Sequence, residues 1–73
     1  MKPIIVSPHA FERIQERKIT RIEIETAVRM PDLKEPAKRG RLRVSKRFEH
    51  HTLDVFYKET NTALIFVTAY WRK

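Results

Sequence analysis

His9, Arg13 and Arg17, one helical turn apart, are the side chains of this 73-residue chain best suited to act on a phosphodiester. An imidazole ordinarily titrates near neutrality, and a guanidinium presents a fixed fork of donors that matches a phosphate. Metal-free cleavage of RNA asks for such a set. It needs a base for the 2′-hydroxyl proton, cations for the charge that builds on phosphorus, and an acid for the departing 5′-oxygen. His9 would carry the proton and Arg13 or Arg17 would hold the phosphate. Each has a plainer reading as well: His9 as a helix-start residue bonded to backbone, Arg13 as a partner of Glu12 or Glu16, and Arg17 as a partner of a carboxylate in the later connector.

The element that must position them starts clearly. Ser7 can accept from the free N–H groups of a first turn, and Pro8 suits the first helical position, so a helix is predicted from Pro8 to about Lys18. With His9 at zero, Arg13 falls at roughly 40° and Arg17 at roughly 80°, while Ala10, Ile14 and Phe11 fall at roughly 100°, 140° and 200°. An apolar stripe thus faces a core and the cationic row lines its edge. Before it, Lys2 to Val6 reads as an edge strand or an extended lead-in. After it, Thr20 and Glu23 form a capping box and Ile19 and Ile24 a hydrophobic staple, which starts a second helix at Arg21. Ile24, Ala27 and Val28 give that helix its inward face, and Pro31 ends it.

Asp32 to Gly40 reads as a connector with no element of its own. From Arg41 the period changes to two: Leu42, Val44 and Phe48 form a core face, and Arg41, Arg43, Ser45 and Arg47 a cationic one. Further strands are predicted at Leu53–Lys58 and Thr62–Trp71, joined by Glu59, Thr60 and Asn61. The last is apolar on both faces, Leu64 and Phe66 on one and Ala63, Ile65 and Val67 on the other. Thr68 and Tyr70 continue the first face and Trp71 the second. The expected architecture is α+β, a single domain over 1–73 with two N-terminal helices on one face of a three- to four-stranded antiparallel sheet. The uncovered face would be partly apolar, which points to a partner or a homodimer, or to both layers being filled from within.

Composition narrows the function classes. A chain this short has a small core and no room for a large enclosed cofactor pocket. It has no cysteine and only three histidines, His9, His50 and His51, without zinc-ligand spacing, so no metal and no cofactor is expected. No membrane-length apolar run and no leader are read, which makes a soluble cytoplasmic protein the expectation. The net charge is +7, and its excess lies in the second half. Lys38, Arg39, Arg41, Arg43, Lys46 and Arg47 form a block with no acid among them, which suits a polyanion and nucleic acid before membrane. Arg39, Arg41, Arg43, Lys46 and Arg47 are the candidate nucleic-acid ligands. A solvated surface or an acidic protein partner is the plainer account.

The order H-A-x-x-R-x-x-x-R-x-I-T from His9 to Thr20, then Pro31-Asp32, then Val67-Thr68-Ala69-Tyr70-Trp71, resembles the domain-of-unknown-function 4258 family. That family is grouped with RelE-like and BrnT-like toxins. Where the family commonly has glycine before the isoleucine, this chain has Lys18. The resemblance implies a RelE-like fold, metal-independent endoribonuclease activity of the toxin type, RNA as substrate, free or on the ribosome, and an antitoxin protein as partner. The positions that match the motif are His9, Arg13, Arg17, Thr68 and Tyr70. In a catalytic reading Tyr70 would orient the scissile nucleotide and Thr68 hold a neighbouring group; a strand-end histidine, His50 or His51, could supply the acid. Two alternatives stand beside it: a non-catalytic RNA- or ribosome-binding module, and a protein-interaction domain.

Overall fold

The computed structural model describes residues 2–72. Ser7 is in extended backbone, its hydroxyl accepts from the Ala10 N–H, and Pro8 opens α1 (Pro8–Glu16). The helix closes with two bonds, Lys18 N–H to the Gln15 carbonyl at 3.0 Å and Ile19 N–H to the Ile14 carbonyl at 2.8 Å. These are the bonds of a Schellman end, whose left-handed position here holds Lys18 at φ 57°. The turn is therefore tight even without glycine. Thr20 then caps α2 (Arg21–Arg29), with both halves of the capping box made. Ile19 and Ile24 are both buried beneath it.

Five strands follow the predicted periodicities only in part: β1 (Ile4–Ile5), β2 (Leu33–Pro36), β3 (Leu42–Phe48), β4 (His51–Glu59) and β5 (Leu64–Arg72). Their order is β1-β5-β4-β3-β2. The sheet is mixed, with β1 parallel to β5 and the other pairs antiparallel, which corrects the expected three- to four-stranded antiparallel sheet. The strand with no counterpart in the sequence reading is β2; β1 is the edge strand that Lys2 to Val6 allowed, paired parallel to β5. The connector segment Leu33–Pro36 pairs along the free edge of β3, where an edge position tolerates Pro36. The lead-in is fastened by Leu64 N–H to the Pro3 carbonyl and by Arg21 and Arg29, which donate to the Ile4 and Lys2 carbonyls at 2.7 and 2.9 Å.

The core lies between the helices and one sheet face. Ile14, Ile24, Val44, Leu53 and Val55 are fully buried in it. Phe11, expected to face inward, is 42% exposed, because α1 lies over the β5 border of the sheet and only Ala10 and Ile14 reach the interior. Neither helix is long and apolar enough to cross a membrane.

A bulge in β5 decides which side chains meet the helices. The register passes from Phe56↔Thr68 to Tyr57↔Phe66, leaving Val67 as an extra residue. Past that point the faces exchange. Ala69 and Trp71 turn toward the helices, while Thr68, Tyr70 and Arg72 turn to the uncovered face, contrary to the expectation that Thr68 and Tyr70 continue the face of Leu64 and Phe66. On the uncovered face the Phe56 and Tyr70 rings lie 6.0 Å apart. Ile5, Leu33 and Tyr70 are the large apolar side chains most exposed there.

Candidate nucleic-acid site

Along α1, His9 Nε2 accepts from Arg13 Nε at 3.2 Å, so Arg13 pairs with neither Glu12 nor Glu16. Arg17 departs at the helix end and turns to the sheet. Its Nη1 donates to Thr68 Oγ1 at 3.2 Å and to the Ala69 carbonyl at 2.8 Å. Among the described residues β1 pairs with Leu64 and Ile65 alone, and the Ala69 carbonyl lies beyond that pairing. Among the described residues the Nε and Nη2 donors of Arg17 make no hydrogen bond. Of the five residues matching the motif, the fold brings His9 to Arg13, and Arg17, reaching the β5 edge, to Thr68; Tyr70 shares the uncovered face with Thr68 but lies against Phe56.

Arg17 also lines a groove that the spacing in α1 did not disclose. Trp71, returned to the helix side by the bulge, rises between two lobes together with His51, their ring centres 5.9 Å apart. One lobe, about 380 Å³, is walled by Arg17, Lys18, His51 and Trp71. The other, about 400 Å³, is walled by Glu23, Phe48, Glu49, His50, His51 and Trp71. Phe48 meets Trp71 edge-on at 6.1 Å. The groove thus runs from two cations, across an aromatic ridge, to two carboxylates, with imidazoles on the ridge and beside it.

Two of the groove's charged residues hold a backbone conformation that L side chains rarely adopt. Lys18 is at φ 57° and Glu49 at φ 39°. Glu49 and His50 are the two residues between β3 and β4, whose ends pair as Phe48↔His51. Glycine or asparagine would fit either position at lower cost, so the strain marks places where a charge is retained against local preference. Lys18→Gly is expected to stabilise the fold by about 1 kcal/mol and raise Tm by several degrees. Were single-stranded RNA the ligand of this groove, the same substitution would flatten the salt dependence of its affinity by close to one ion. Thermal melts and binding titrations over a salt series check both halves.

The basic block is less free than its sequence suggests. Arg43 pairs with Glu35 through Nη1 and lies 3.5 Å from Asp54 through Nη2. Lys46 Nζ is 3.5 Å from Asp32, and Asp32 also accepts from the Arg47 backbone N–H at 2.8 Å. That backbone bond, with Lys46 beside it, holds the Asp32 carboxyl below the usual range. Arg41 is half-buried, with Nε buried and without a hydrogen-bond partner among the described residues. Arg39 and Arg47 keep exposed side chains. The acids missing from the block arrive from β2, its approach and β4.

Lys18, Glu23, Glu49 and Trp71 were not singled out from the sequence as site residues. A lone tryptophan at the end of a strand was the available signal, but counting by twos placed it without the bulge. The sequence matches the family described as a domain of unknown function, DUF4258, over residues 6–71. The chain belongs to that family. No curated protein and no solved structure matches it.

Proposed function

We propose that this DUF4258 chain is an RNA-acting domain and, in its leading form, a toxin-like metal-independent endoribonuclease working in the groove at Trp71. The observation that carries this reading is the meeting of Arg17, Lys18, His51 and Trp71 around one lobe. Single-stranded RNA is recognised by stacking on aromatic rings and by cations on its backbone, and the groove offers both side by side.

The residues suit one reaction in particular. His51 would take the 2′-hydroxyl proton, the 2′-oxygen would attack the adjacent phosphorus, and the P–O5′ bond would break. Arg17, through its unused Nε and Nη2 donors, and Lys18 would bear the charge gathered on the phosphoryl oxygens. His50, at the far side of the same ridge, or His51 in its newly protonated form, would return a proton to the leaving 5′-oxygen. The products would be a 2′,3′-cyclic phosphate and a free 5′-hydroxyl. His9 and Arg13 would extend the cationic track along α1, whereas Arg47, on the uncovered face of β3, and Arg39, before the end of β3 remote from Phe48, lie off it.

The direct test incubates the purified protein with end-labelled single-stranded RNA in the presence of a chelator, with and without ribosomes. Cyclic-phosphate products are the expected result. The second reading, a binding module without chemistry, is favoured by the bonds that already hold Arg17 to β5. It expects salt-sensitive binding and intact RNA in the same assay. RNA that is neither bound nor cut removes both.

A further inference from the structure

We infer that the lobe beyond Trp71 is a base-reading site selective for guanine, an inference that rests on RNA being the ligand of the groove. The two lobes share Trp71 and His51 but differ in sign. Arg17 and Lys18 line one, Glu23 and Glu49 the other. A nucleotide carries its own charge separation in the matching sense, with an anionic phosphate at one end and a base that can present N–H donors at the other. The cationic lobe takes the phosphate. Carboxylates repel a phosphate, so the second lobe takes the base, whose face rests against the aromatic wall of Trp71 and Phe48.

The carboxylates of Glu23 and Glu49 are the acidic side chains of this lobe, and as acceptors they select among the four bases. A carboxylate offers two oxygens and no proton. Guanine is the base with two adjacent donors on its Watson–Crick edge, N1–H and N2–H2, which meet both oxygens at once. Adenine and cytosine each set one amino donor beside a ring nitrogen lone pair, which would face a carboxylate oxygen. Uracil has a single N3–H flanked by two carbonyls. Each of these three therefore brings a repulsive contact as well as a lost bond.

Glu49 is the principal reader. It is exposed on the two-residue turn, and among the described residues its carboxylate has no hydrogen-bond partner. It also keeps the left-handed backbone that a glycine would occupy more easily. Glu23 contributes a second acceptor. Its Oε1 is engaged by the Thr20 N–H and hydroxyl at 2.9 and 3.1 Å, while among the described residues Oε2 makes no bond. His50, His51 and the cations Arg17 and Lys18 are the other charged or titratable groups around the groove.

Trp71 is the chain's one tryptophan, so its emission reports occupancy of the ridge directly. Titrations with GMP, AMP, CMP and UMP are read by tryptophan quenching, alongside binding of otherwise identical RNA oligomers carrying or lacking a central guanine. GMP and the guanine oligomer are expected to bind about tenfold more tightly than their counterparts. Glu49→Gln should bring the four nucleotides within about twofold of one another, and should tighten rather than weaken binding of the guanine-free oligomer, because it removes a negative charge and a repulsive contact from the lobe. Glu23→Gln keeps the capping box, which accepts glutamine as well, and should lower the preference part of the way. RNA bound with equal quenching by all four nucleotides, or with a preference that survives Glu49→Gln, overturns guanine selection and leaves the RNA reading standing. Failure of every oligomer to bind overturns the RNA reading together with this one.

Discussion

Asp54→Ala should lower the unfolding free energy by about 3 kcal/mol, the largest loss expected from any single polar side chain in the fold. Asp54 is 1% exposed on the sheet face that no helix covers, and its cover is made of its own partners. Arg72 donates to both of its oxygens, Nη2 at 2.7 Å and Nε at 3.1 Å. Ser45 donates its hydroxyl at 2.5 Å, and Arg43 stands 3.5 Å away. Without the carboxylate, two guanidinium groups and a buried hydroxyl would face one another. Both arginines retain access to water, which keeps the loss at the lower end of that for a broken buried pair. For a domain of this size it is still a large fraction of the whole. Urea melts analysed at constant slope measure it.

The same carboxylate makes stability depend on pH. Burial pushes the Asp54 carboxyl up, but the Arg72 fork, the Ser45 hydroxyl and the Arg43 charge together hold it below the usual carboxylate range. The folded value is thus lower than the unfolded one of about 3.9. The contribution is complete above that unfolded value and disappears as the pH falls through the lower, folded value. Asp32 and Glu59 are lowered too, by the Arg47 backbone with Lys46 and by Lys2 respectively. The part due to Asp54 is therefore the difference between wild type and Asp54→Asn: the gap between their melting curves should narrow between neutral pH and pH 3.

Within the endoribonuclease reading, His51→Gln should slow RNA cleavage by about 100-fold or more, with affinity for the same RNA reduced by less than about threefold. Glutamine keeps a polar side chain of comparable size but cannot exchange a proton near neutrality. His51 is exposed at the start of β4, so the fold should not suffer. His9→Ala removes an imidazole that already accepts from Arg13 and should alter cleavage by less than tenfold. Single-turnover rates on saturating enzyme separate the two effects. A reversed order, with His9 essential and His51 dispensable, would assign proton transfer to the helix edge and leave the Trp71 groove as a binding site.

Local signals in the chain were read well where they act over a few residues. Ser7-Pro8, Thr20 with Glu23, and Pro31 each mark a helix end through bonds or sterics confined to one turn, and the two helices follow from them. Alternation from Leu42 to Phe48 placed the cationic face of β3 correctly. What escaped depends on partners distant in sequence. Leu33–Pro36 is a strand because β3 offers it an edge, and nothing in Leu-Lys-Glu-Pro demands it. Of the edge strand and the lead-in that Lys2 to Val6 allowed, the strand is formed, with Arg21 and Arg29 holding the segment from α2. The cationic block looked unopposed because Glu35, Asp32 and Asp54 come to it through pairing. The site suffered most from one residue. With Val67 counted as an ordinary strand position, Tyr70 joins Arg17 and Trp71 leaves it, whereas the bulge makes the opposite assignment.

That bulge also sets how the chain can change in length. Side chains on a strand alternate with a period of two, and Val67 makes β5 odd where its neighbour is even. Because Val67 has no partner on β4, loss of one residue there would set Phe66 and Thr68 side by side opposite Tyr57 and Phe56, a regular ladder in which every position from Thr68 to Arg72 keeps its face. Ala69 would stay in the interior, Trp71 in the groove, and Arg72 on Asp54. Loss of a second residue has no spare position to draw on and reverses them all. A one-residue deletion at Val67 should accordingly be tolerated, whereas a two-residue deletion fails through packing, charge pairing and ligand contact simultaneously.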